Sequence, residues 1–92
     1  EVALGTLTVG EARGWGASEA VSAKILDLFA DAGGNVIDTA DVYTNGTSET
    51  LLGELLKARR DRFVLATKFT NQTDPADPNS AGNHRKKIVA AI

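Results

Sequence analysis

The sequence predicts an α/β fold built on a parallel sheet, with elements in the order β-α-β-α-β-loop-α. Three observations lead there. Short runs of β-branched and small residues alternate with stretches whose apolar residues recur at helical spacing. The connections between them are short, apart from one polar stretch near the C-terminus. Two of the three strands also turn polar towards their C-terminal ends, at Asp38 and Lys68. Strands that alternate with amphipathic helices pair in parallel through right-handed crossovers.

The first segment, VALGTLTVG, mixes β-branched and small residues without helical spacing and reads as a strand through about Val9. A glycine-rich loop, EARGWGAS, follows. Ser18 is placed to cap a helix that runs to about Ala32, with Val21, Ile25, Leu28, Phe29 and Ala32 as its apolar stripe. Gly33-Gly34 ends it, because glycine takes the left-handed C′ conformation without a Cβ penalty. The run NVIDTA reads as a buried strand whose polar end emerges at Asp38. After the loop ADVYTNGT, Thr47 or Ser48 caps a second helix, SETLLGELLKARR. Its buried face is Leu51, Leu52, Leu55 and Leu56, and Arg59 and Arg60 suit the negative end of its dipole. RFVLATKFT is the third strand, NQTDPADPNSAGN a long loop, and HRKKIVAAI the start of a third helix.

Composition narrows the function classes. The chain has 92 residues, one small domain's worth, and its 42% apolar and 24% charged content is that of a globular protein. Ten basic against twelve acidic residues leave a net charge of -2, which argues against nucleic acid and anionic membrane as partners. No apolar run approaches the ~20 residues of a membrane helix. The chain lacks cysteine, so it has neither a disulfide framework nor thiolate chemistry, and a cytoplasmic location is the expectation. No spacing suits a metal. The absence of methionine and the unfinished final helix lead us to expect residues 1–92 to be a truncated portion of one longer domain. Three strands alone leave a parallel sheet's edges and faces uncovered.

In barrels of parallel strands, chemistry gathers at the C-terminal strand ends and the loops after them. With period-two alternation Val36 and Asp38 share one face of the second strand, and Val64, Ala66 and Lys68 one face of the third. Tyr43 lies five residues beyond Asp38, at the same rim. A carboxylate, an ammonium and a phenol together have a use in proton transfer. An unperturbed phenol titrates near ~10 and is a poor acid at neutral pH. A neighbouring ammonium favours the phenolate, and a carboxylate holds that ammonium charged and in place. Such a phenol can protonate a developing alkoxide, the need of a carbonyl being reduced by hydride.

The stretch GNVIDTADVYTNGTSETLLGELL, followed by VLATKF, resembles the aldo-keto reductase superfamily. The matching positions are Asp38-Thr39-Ala40, Tyr43, Gly46-Thr47-Ser48-Glu49, Leu52-Gly53 and Lys68. The opening Gly5-Thr6-Leu7 resembles the family's first strand end, which lines the nicotinamide, although Leu7 stands where an aromatic residue is usual. The resemblance implies a (β/α)8 TIM barrel, of which residues 1–92 are the first three βα units, and NADPH as cofactor. It implies Tyr43 as proton donor, Lys68 and Asp38 as its partners, and Gly5, Thr6, Leu7 and Asp38 as cofactor-binding residues. It also implies reduction of a small-molecule aldehyde or ketone, by a barrel of which this chain alone is an inactive piece. The family's fourth catalytic residue, a histidine after the fourth strand, has no matching position.

An alternative on the same scaffold is a regulatory, cofactor-binding subunit similar to the potassium-channel β subunits. Taken singly, Asp38 and Lys68 read as a strand-end ion pair, and it is their register with Tyr43 that favours catalysis. His84 reads as a solvated helix-start residue, and Arg85-Lys86-Lys87 as a wet helix face. Trp15 is equally suited to loop packing and to lining a substrate pocket.

Overall fold

The computed structural model of the chain describes residues 2–11, 14 and 16–92. Trp15, considered above for a pocket, lies outside the described residues. Three strands, β1 (Ala3–Gly5), β2 (Val36–Asp38) and β3 (Val64–Ala66), form one parallel sheet in the order β1-β2-β3. Helices α1 (Glu19–Asp31) and α2 (Thr47–Leu56) make the two crossovers, and α3 (Arg85–Ala91) follows β3 after a long loop. This is an unclosed part of a (β/α)8 barrel.

Register explains the packing. Leu4, Ile37 and Leu65 are aligned across the three strands and face the helices. There they meet Leu26 and Ala30 of α1, Leu52 and Leu56 of α2, and Phe63. Ile37, Leu26 and Leu56 are fully buried, each worth about 1.5–3 kcal/mol relative to exposure. The opposite face carries Ala3, Val36 and Val64 in one row and Gly5, Asp38 and Ala66 in the next, and most of it is open to solvent. In a closed barrel this face lines the interior.

The strands are shorter than the sequence suggests, but their pairing is not. The Thr6 N–H donates to the Asp38 carbonyl, Thr39 N–H to Ala66, and Asp41 N–H to Lys68, so inter-strand bonds continue past every strand's C-terminal end. The predicted β1 through Val9 gives way to a turn after Gly5, and Val9 instead makes an isolated parallel bridge with Ala17. Lys68 accordingly stands two residues beyond β3, on its rim.

Helix α1 begins and ends as predicted. Ser18 Oγ accepts from the Val21 N–H. At the other end Gly33 N–H donates to Ala30 O and Gly34 N–H to Phe29 O, the paired bonds of a Schellman cap, with Gly33 at φ +88°. The buried stripe, however, is Ser22, Leu26 and Ala30. Of the predicted stripe only Phe29 packs on the core; Val21, Ile25 and Leu28 are 51%, 42% and 62% exposed, and Ala32 is exposed too. An i, i+4, i+8 row with small residues at both ends lets the helix lie close to the sheet, and it won over the larger apolar set.

Helix α2 is shorter than predicted at its C-terminal end. Gly46, left-handed at φ 87°, precedes its first residue, Thr47, and neither Thr47 nor Ser48 acts as a side-chain cap. The helix stops at Leu56, so Arg59 and Arg60 lie beyond it. Arg59 pairs with Asp27 of α1 at 2.7 Å, and Arg60 donates to the Phe63 carbonyl.

Candidate active site at the strand rim

The rim is assembled from three connections. Asp38 closes β2, Lys68 follows β3, and Tyr43 opens a 3-10 turn, Tyr43–Gly46. Lys68 Nζ donates to Asp38 Oδ2 at 2.7 Å, to the Thr39 carbonyl at 2.9 Å and to the Tyr43 hydroxyl oxygen at 3.2 Å. It also sits 5.0 Å from the centre of the Tyr43 ring, within cation–π range. One ammonium therefore holds the acid and the phenol together. The Asp38 hydrogen bond is the main influence raising Lys68 above its ordinary value, with the Tyr43 contact adding to it against partial desolvation. The lysine is a fixed cation at neutral pH.

The Asp38–Lys68 ion pair adds little to stability. The Lys68 and Asp38 side chains are 51% and 40% exposed, and an ion pair so placed contributes about 0–1 kcal/mol. An open depression of about 350 Å³ beside it is lined by Tyr43, Lys68, Thr70 and Asn71 among others, so the phenol and the ammonium border space that a small molecule can enter.

The turn that carries Tyr43 is strained. Thr44 and Asn45 both have positive φ, 47° and 57°. For a β-branched residue such as Thr44 this is an unfavourable conformation, of the kind that persists only where its surroundings hold it. They do so here: Thr44 is buried, and its hydroxyl donates to the Val9 carbonyl at 2.6 Å, tying the Tyr43 turn to the first βα loop.

Beneath the rim lies a buried hydroxyl network that the sequence reading missed. Thr6 Oγ1 donates to the Asp38 carbonyl at 3.1 Å. Ser48 Oγ lies 2.9 Å from Thr6 Oγ1, 3.0 Å from the Thr6 carbonyl and 3.1 Å from Thr39 Oγ1. All three side chains are buried. The Ser-Glu pair after Gly46 thus works as a fastening: Ser48 joins the ends of β1 and β2 to α2, while Glu49 accepts from Thr67, next to Lys68. The spacing of these residues in the sequence was visible, but it suggested a helix cap.

The other named residues divide clearly. Gly5 ends β1 opposite Asp38, with open space where a Cβ would stand. Leu7 is 47% exposed just after it. Thr6 follows Gly5 with its side chain buried and bonded to the Asp38 carbonyl and to Ser48. His84 caps α3, its Nδ1 accepting from Lys87 N–H, and is exposed as expected. Lys87 corrects the expected wet face: it is buried and pairs with Asp41. Among the described residues no group of three or more His, Cys, Asp or Glu could hold a metal, and no helix is long and apolar enough to cross a membrane.

Known proteins resemble this chain in sequence and in fold. The chain is 44% identical over 75 residues to the aryl-alcohol dehydrogenase [NADP(+)] of Phanerodontia chrysosporium, covering 75% of this chain and 20% of that one. It is 37% identical over 101 residues to the norsolorinic acid reductase of Aspergillus flavus, covering 97% of this chain and 26% of that one. The solved structure of the aldo-keto reductase AKR11C1 from Bacillus halodurans, in its holo form, superposes with a TM-score of 0.69 at 32% identity, over 85% of this chain and 24% of that one. The chain therefore spans about a quarter of the length of these relatives. The model of the aldo/keto reductase family matches residues 1–92 throughout, and the chain belongs to that family.

Proposed function

We propose that residues 1–92 act as the N-terminal portion of one aldo/keto reductase barrel, and that the complete barrel reduces aldehydes or ketones to alcohols with NADPH. The observation that carries this reading is the bridging position of Lys68 Nζ, 2.7 Å from Asp38 Oδ2 and 3.2 Å from the Tyr43 hydroxyl. Support for the cofactor comes from the name of the Phanerodontia chrysosporium relative, which specifies NADP(+).

The residues present fit the nicotinamide end of such a dinucleotide. Open space above Gly5 and the exposed Leu7 leave room for a flat ring at the end of β1. Lys68 occupies only Oδ2 of Asp38, which leaves Oδ1 to accept from a ribose hydroxyl. Thr6 contributes by holding the Asp38 carbonyl. When bound, the nicotinamide supplies the hydride that adds to the carbonyl carbon.

The chain's own residues handle the proton. Tyr43 donates its hydroxyl proton to the carbonyl oxygen as negative charge grows there, giving the alcohol. Lys68, charged and already donating to the phenol oxygen, stabilises the phenolate that remains until solvent restores the proton. Asp38 keeps Lys68 protonated and aimed. The name of the Phanerodontia chrysosporium relative, an aryl-alcohol dehydrogenase, makes aromatic aldehydes the first substrates to try.

The experiment is NADPH oxidation by the complete barrel with a panel of aromatic and aliphatic aldehydes. Turnover that disappears in Tyr43→Phe supports the reading. NADPH binding without turnover of any carbonyl would instead favour a cofactor-binding regulatory subunit.

A further inference from the structure

Asp41 and Lys87, 46 residues apart, meet inside the molecule. Lys87 Nζ donates to Asp41 Oδ2 at 3.0 Å and to Thr73 Oγ1 at 3.2 Å. Their side chains are only 6% and 16% exposed, for Lys87 and Asp41 respectively, far less than those of Lys68 and Asp38. Desolvating two charges offsets most of their attraction, so a buried pair is poorly explained by stability alone. Placement explains it better. The Asp41 N–H donates to the Lys68 carbonyl at 3.0 Å, and two residues later the Tyr43 N–H donates to the Ala40 carbonyl at 3.2 Å. Asp41 thus stands between the strand end that carries Lys68 and the turn that carries Tyr43. Its Oδ1 is buried without a hydrogen-bond partner, so Lys87 is what balances the carboxylate.

We propose that Asp41 and Lys87 are positioning residues, a buried strut from α3 that sets the Tyr43 phenol against the Lys68 ammonium. The geometric part stands on these contacts, and the catalytic consequence rests on the carbonyl-reduction reading above.

Single removal of Lys87 strands a buried carboxylate and risks unfolding the chain. The informative variant is therefore Asp41→Asn with Lys87→Met, which removes both charges, checked for folding by circular dichroism. Lys87→Arg, which keeps the charge, serves as the rescue. The readout is nuclear magnetic resonance of Lys68: its ε-carbon titration and its through-space contact with the Tyr43 ring. In the folded double variant the ring contact is lost, and the Lys68 midpoint falls to that of Tyr43→Phe, because Tyr43 is one of the groups that raise it. In the complete barrel kcat falls about 10- to 100-fold with KM unchanged. Lys87→Arg retains the contact. A folded double variant with the contact and the midpoint intact overturns the proposal. Loss of the contact, in a barrel whose wild type reduces no carbonyl, sustains the strut and defeats the reduction reading.

Discussion

The ammonium of Lys68 donates to the phenol oxygen of Tyr43 across 3.2 Å, although 25 residues separate them in the chain. Neither residue lies in a strand. Each projects from a connection just beyond a strand's C-terminal end, and inter-strand bonds that continue past β2 and β3 hold those connections side by side. This contact between two loops is as well supported as one between two strands.

The Asp38 carboxylate is the leading cause of the raised Lys68 value. Asp38→Asn should therefore bring the Lys68 titration down towards the ordinary lysine value of 10.5. The sign follows from linkage. A group whose value is raised by folding contributes stability in full below its unfolded value and loses that contribution as pH rises through the folded one. The stability difference between wild type and Asp38→Asn should persist at neutral pH and shrink above about pH 10.5. A Lys68 titration unmoved by Asp38→Asn would remove the carboxylate from this role.

Ser48 is the centre of the buried hydroxyl network, with Thr6 and Thr39 around it. Ser48→Ala leaves buried hydroxyls short of a partner and should cost about 1–3 kcal/mol. Urea denaturation measures it. A loss below ~0.5 kcal/mol would mean the network does not fasten the rim.

Leu26 and Leu28 test the orientation of α1. Leu26 is 1% exposed and Leu28 62%. Leu26→Ala should destabilise by about 2–5 kcal/mol or unfold the chain outright, while Leu28→Ala should stay within ~0.5 kcal/mol. Similar losses at both positions would favour the stripe suggested by apolar size alone.

Alternation of short strands with amphipathic helices was enough to read the element order, and Ser18 and Gly33-Gly34 gave the ends of α1 because capping is local chemistry. The helix face was harder. Val21, Ile25 and Leu28 lie at the same helical period as Ser22, Leu26 and Ala30, and only the sheet's demand for small residues at the contact decides between them. At the candidate site, the meeting of Asp38, Tyr43 and Lys68 at one rim was legible from register and resemblance. Lys87 was not: within RKK, burial of the third residue depends on Asp41, which folding alone brings near. The hydroxyls of Thr6 and Ser48 were hidden for the same reason, since each looks like an ordinary turn or cap residue until the strand ends meet.

The most direct test of the account is the rate of hydride transfer to an aromatic aldehyde, followed by NADPH absorbance in a single turnover of the complete barrel. Wild type is compared with Tyr43→Phe, which keeps the ring and removes only the proton. The expected fall is about 10²–10⁴-fold in the variant, with cofactor binding unchanged. A variant that transfers hydride at the wild-type rate would contradict it.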